Sequence, residues 1–141
     1  RCFEIAPAKA PFEGCMRLIF DTGALIALER NDRAMWQRLK LALQAREAPI
    51  SHGGIVGQAW RGRGSRQALL AKALDVIDIR RLDATLGRAT GELLARSKQD
   101  DVIDAALVLL ANDGDRIITS DPDDLAPLAR AADVDVELVT P

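Results

Sequence analysis

The sequence predicts an α/β fold, a three-layer α/β/α sandwich around a central, mainly parallel sheet. Short apolar runs alternate with longer segments of helical periodicity from residue 16 to the end, the order expected when strands are joined by crossover helices. Glycines, prolines and capping acids separate the two kinds of segment. No internal repeat or linker divides the chain, so residues 16–141 are expected to form one domain around one core.

The elements follow in order. "RLIFD" (17–21) is a short apolar run ending in an acid, a buried strand. "ALIALERNDRAMWQRLKLALQAREA" (24–48) is helical and breaks near Asn31, and Met35, Trp36, Leu39, Leu41 and Leu43 give its second half a broad apolar side. "PIS" (49–51) is a strand, and the glycines of "HGG" are expected to break the chain before two helical pieces, "IVGQAWRG" and "SRQALLAKAL". "VIDIR" (76–80) alternates as a strand with one covered face does. Asp83 can cap "ATLGRATGELLARS", and a strongly apolar helix begins near Asp100 and ends at Gly114. "RIITS" (116–120) is a strand, "PDDLAPLARAA" (122–132) a helix and "VDVELV" (134–139) a last strand.

Composition narrows the function. The chain has 141 residues, 48% of them hydrophobic and 28% charged, ordinary for a globular protein that buries roughly two-thirds of its unfolded surface. Aromatics are only 4%, so the core must be aliphatic. A net charge of -2 gives no global attraction to nucleic acid, and any such binding must use local patches. Cys2 and Cys15 lack metal-ligand spacing, which fits a reducing compartment. Residues 1–15 have no signal-peptide core and are expected to be an extension outside the domain; with no run long enough for a membrane span, a cytoplasmic location is expected.

In open parallel sheets, ligands bind beyond the carboxyl ends of the strands. Asp21 closes the first strand and Asp121 follows "RIITS", so both can face one crevice. Asp104 sits in the first turn of the apolar helix. Each acid has a structural explanation: "DPDD" makes Asp121 an N-cap with Pro122 at the first helical position and Asp124 three residues on, and the helix dipole favours Asp104 and Asp101. Capping does not explain acids gathered at one sheet edge, where like charges oppose folding unless a cation is present. Oxygen-preferring magnesium or manganese would relieve that repulsion, and such a site suits phosphodiester hydrolysis.

"LIFDTGALIAL", "VIDAALVLLA" and "IITSDPDDL" together resemble, in order and spacing, the PIN-domain ribonucleases, particularly the VapC toxins of bacterial toxin-antitoxin pairs. The resemblance runs from about Met16 to the last strand. It implies a metal-dependent endoribonuclease binding Mg2+ or Mn2+ through Asp21, Asp104 and Asp121, with Asp124 as a further acid and Thr22 helping to order the site. It also implies a homodimer, an RNA substrate and a cognate VapB-like antitoxin lying over the acidic crevice. One position departs: where the family usually has a glutamate, this chain has Gln58, an uncharged amide. Asp101 has two readings, a substitute for that glutamate or a plain surface acid. The departure leaves open an alternative, a PIN-like module that holds RNA or protein with weakened catalysis.

Several residues have weaker claims. Arg61, Arg63 and Arg66 beside Trp60 could grip RNA phosphates, with Trp60 expected to fill the core rather than stack on a base. His52 has no adjacent nucleophile and is expected to be a simple loop residue, while Arg80 and Arg81 are expected to be surface charge and Gly62 and Gly64 turn residues. Asp-Thr-Gly at 21–23 also matches aspartic proteases, but those are β proteins with two such loops, and here helix follows at once with no second copy. Thr22 and Gly23 are instead expected to serve the turn from strand to helix. A receiver-like phosphoacceptor would need paired acids at its first strand and a later strand-end lysine, which the sequence lacks.

Overall fold

The apolar runs do become strands, each trimmed to its most buried residues. The computed structural model describes residues 16–141; the expected extension at 1–15, with Cys2 and Cys15, lies outside the described residues. The strands are β1 (Leu18–Phe20), β2 (Ile50–His52), β3 (Asp78–Arg80), β4 (Arg116–Ile118) and β5 (Glu137–Val139). Between them run α1 (Thr22–Glu29), α2 (Arg33–Gln44), α3 (Gly53–Ala59), α4 (Gln67–Leu74), α5 (Ala84–Ser97), α6 (Val102–Leu109) and α7 (Pro122–Ala132).

All strand pairs are parallel, in the order β3-β2-β1-β4-β5. The chain winds outward from β1 to β3, returns to the other side of β1, and continues to β5. Because crossovers between parallel strands are right-handed, this reversal puts α1 to α4 on one face and α5 to α7 on the other. Packing agrees: α1 contacts α2, α3 and α4, while α5, α6 and α7 contact one another. Ile19, Phe20, Ile117 and Ile118 of the two central strands are fully enclosed, with Leu25, Leu28, Met35 and Leu39 on one side and Leu93, Leu107 and Leu128 on the other. Among the described residues, no helix is long and apolar enough to cross a membrane.

Some boundaries differ from expectation for identifiable reasons. Gly53 and Gly54 do not break the chain; they are the first turn of α3, because the His52 ring accepts a hydrogen bond from the Gly54 N–H at 3.0 Å and caps the helix. Gly114 does not end α6, which stops at Leu109; at φ 92 it shapes the turn into β4.

Candidate acidic site

The reversal of strand order falls between β1 and β4, so their carboxyl ends form the crevice in which ligands of such sheets bind. Asp21 leaves β1 there and caps α1. It is 6% exposed, and both carboxylate oxygens are held: Oδ1 accepts from the Thr22 N–H at 2.8 Å and Oδ2 from the Thr119 hydroxyl at 2.6 Å. Thr119 accepts in turn from the Asp121 N–H at 3.0 Å. This threonine was not singled out from sequence, although a hydroxyl two residues before an acid is a recognised side-chain-to-backbone turn.

Asp121 stands at the N-cap position of α7, yet its side chain makes no capping bond and its N–H goes to Thr119, so the expected capping box is not formed. The Asp121 carboxylate is exposed beside Asp21 with no hydrogen bond of its own, and Asp124 is exposed one turn on. Gly23 is not merely a turn residue. It lies inside α1, and a Cβ there would sit 2.0 Å from Ser120 Oγ, 2.8 Å from its Cβ and 3.0 Å from its backbone N. Gly23→Ala should therefore push the Asp121 loop away from Asp21, destabilising by about 1–2 kcal/mol in chemical denaturation; an unchanged midpoint would show that the loop yields freely.

Asp104 faces this pair from the first turn of α6. Its carboxyl is pushed from 3.8 up to about 7, by burial first and then by the charges of Asp101, Asp21, Asp124 and Asp121. Five acids thus share one field. Asp101 is neither idle nor a free substitute, since its Oδ1 accepts from the Asp104 N–H at 2.9 Å and caps α6. Among the described residues, no three His, Cys, Asp or Glu side chains stand close enough together to hold a metal ion, so an ion would have to draw these acids inward. The donors are all carboxylate oxygens held in mutual repulsion, a hard-ligand set matched to magnesium or manganese and poorly matched to zinc or copper.

Gln58, on α3, reaches the site through Thr22, whose hydroxyl donates to its side-chain oxygen. His52 is not a loop residue. It ends β2 fully buried, with Nε2 against the Ile103 carbonyl at 3.0 Å and Nδ1 accepting from Gly54. Burial holds its pKa down, against the Ile103 carbonyl and the charge of Asp21. With both nitrogens engaged it is a strut between β2 and α6 and has no free atom for base catalysis. Trp60 does not fill the core; it is 39% exposed and lines a shallow surface pocket together with Val56, Ala71 and Leu74. Arg61 turns back to the Gly57 and Trp60 carbonyls, at 3.2 and 2.8 Å, closing the end of α3, whereas Arg63 and Arg66 are exposed. Arg80 pairs with Asp78 at 2.9 Å and Arg81 is exposed.

No protein-family profile matches the chain, and no curated protein sequence does. Solved structures do. The VapBC2 complex of Rickettsia felis, bound to a DNA fragment from its promoter, contains a chain that superposes with a TM-score of 0.62 at 13% identity, covering 87% of this chain and 98% of that one. PAE2754 from Pyrobaculum aerophilum superposes with a TM-score of 0.54 at 18% identity, covering 84% and 96%. At these identities the likeness concerns the fold, which is the PIN-type α/β/α fold seen in VapC proteins.

Proposed function

We propose that this protein is a metal-dependent endoribonuclease and the toxin of a toxin-antitoxin pair. The observation that carries the reading is the exposed, uncapped Asp121 carboxylate beside buried Asp21 and half-buried Asp104, an arrangement that opposes folding and that a divalent cation would relieve. Asp21, Asp104 and Asp121 would hold Mg2+ or Mn2+, with Asp124 at the rim. When bound, such an ion supplies Lewis-acid activation of a phosphodiester and of the attacking water.

The chain's own groups do the positioning. Thr119 and the Thr22 N–H fix the Asp21 carboxylate with one hydrogen bond to each oxygen. Thr22 also anchors Gln58, whose amide can orient water but brings no charge. Without an ion, Asp104 has its pKa pushed up to about 7 and holds a proton close to neutral pH, which a bound cation would displace. RNA is the proposed substrate, Arg63 and Arg66 are better placed than Arg61 to meet it, and the VapB partner of the Rickettsia felis structure supports an antitoxin of that kind here. A homodimer and a cytoplasmic location belong to the same reading.

The test is cleavage of single-stranded RNA by purified protein with manganese. Cleavage should stop with a chelator and be lost in Asp21→Asn while that variant still binds RNA. If the wild type cleaves nothing and Asp21→Asn binds equally well, the protein is a PIN-like binding module, the reading that neutral Gln58 and the open arrangement of acids favour. A second expected result concerns Gln58→Glu: calorimetric titration with manganese should show tighter binding or a second ion, because one more charged oxygen joins the set. An unchanged isotherm would place residue 58 outside the metal site.

A further inference from the structure

Beside the acids runs a cleft to which the nuclease reading gives no task. Its volume is about 420 Å³, and Gly23, Ile26, Ala27, Arg30, Asp32, Ser120 and Pro141 line it. The first four recur at the three- and four-residue spacing of one helical stripe, so α1 and its C-cap form the floor. One end is lined by Gly23, two residues after Asp21, and by Ser120, the neighbour of Asp121, which pack against each other. The other end lies seven residues along, about 10 Å at the helical rise. There Arg30 is exposed, and among the described residues its guanidinium has no hydrogen bond or ion pair. Nearby Asp32 is engaged in capping α2, its Oδ1 accepting from the Met35 N–H at 2.9 Å.

We propose that this cleft is the track of the RNA strand adjoining the bond to be cut, and that Arg30 grips a phosphate flanking the scissile one. The inference rests on the nuclease reading. Five carboxylates repel every phosphate that a bound cation does not neutralise, so a strand held there needs positive charge just outside the acids on a path continuous with them. The cleft starts at Gly23 and Ser120, next to Asp21 and Asp121 in the chain, and Arg30 stands where the charge is required. Its planar fork of donors matches phosphate geometry and stays charged at any physiological pH. The α1 dipole favours a cation at this end but leaves its donors free. Between the two ends, Ile26 and Ala27 offer an apolar floor for a ribose or base face. An acidic peptide could satisfy the same guanidinium, but nothing would then draw it along the cleft toward a ring of carboxylates.

The experiment follows fluorescence anisotropy of a labelled single-stranded RNA against Arg30→Ala and Arg30→Glu in the Asp21→Asn background with manganese, alongside cleavage kinetics of the two single variants. Arg30→Ala should weaken binding about tenfold and lower the salt dependence by about one counterion. In cleavage, KM should rise while kcat is kept. If Arg30→Glu binds RNA like its parent while the wild type cleaves, the cleft proposal fails and the nuclease reading stands. If the wild type binds without cleaving but Arg30→Glu loses binding, the cleft is an RNA-binding surface with no scissile bond beside it, and the nuclease reading and the proposal as stated both fail. Loss of binding to poly-glutamate, with RNA binding intact, would assign the cleft to an acidic protein segment and overturn the proposal.

Discussion

Asp104→Asn is expected to produce a protein that is more stable than the wild type at pH 8 without metal, yet poorer in RNA cleavage by about a hundredfold or more. The cause of the first effect is the raised pKa, from 3.8 to about 7, which burial and four neighbouring carboxylates impose. Below about pH 4 the group is protonated in folded and unfolded chains alike, and it takes nothing from stability. Between about 4 and 7 the folded state keeps a proton that the unfolded state releases, so stability falls as pH rises. Above about 7 the whole cost is present. The full shift corresponds to ~4 kcal/mol, but solvent screens a side chain that is only half buried, so about 1–2 kcal/mol is expected.

Removing the charge should therefore raise the melting temperature at pH 8 by about 3–6 °C and flatten the pH dependence between about 4 and 7. Magnesium or manganese should raise the melting temperature of the wild type at pH 8 and act weakly on the variant, because an ion that binds only the folded state stabilises it by mass action. Thermal melts across pH, with and without metal, check all three points. A variant less stable than the wild type at pH 8 would show that Asp104 makes a favourable contact outweighing the repulsion.

Periodicity alone located the helices well: α7 spans Pro122–Ala132 as its sequence pattern predicts, and the kink at Asn31 separates α1 from α2. Strand-end logic placed Asp21 and Asp121 on adjacent strands at the reversal of sheet order. What failed depended on contacts distant in sequence. Two glycines ordinarily end regular structure, and only the buried His52 ring makes Gly53 and Gly54 a helix start. Trp60 is exposed because α3 ends beside α4 at the surface, a matter of packing that no local pattern encodes. Thr119 gains its role through Asp21, 98 positions away.

Asp115 shows the same limit with the largest consequence for stability. Nothing local in "NDGDR" distinguishes it, but it is 3% exposed and accepts from Arg17, itself 7% exposed, through Nε at 3.1 Å and Nη2 at 2.6 Å. It also accepts from the backbone N–H groups of Arg17 and Asn112, at 3.1 and 2.8 Å. These bonds join the start of β1 to the start of β4, whose opposite ends carry Asp21 and the Thr119–Asp121 turn. Asp115→Ala removes a buried carboxylate from the Arg17 guanidinium and orphans two N–H groups, and a cost of about 3–5 kcal/mol is expected in urea unfolding. Replacing both partners, as Arg17→Met with Asp115→Leu, should recover much of that loss, because neither charge is then left buried alone. A single Asp115→Ala variant within about 1 kcal/mol of the wild type would mean that the carboxylate does not hold this charge, since exposed pairs have that value. Because the pair fixes the β1–β4 register, any residual slip in the double variant should appear as lost RNA cleavage before it appears as lost secondary structure.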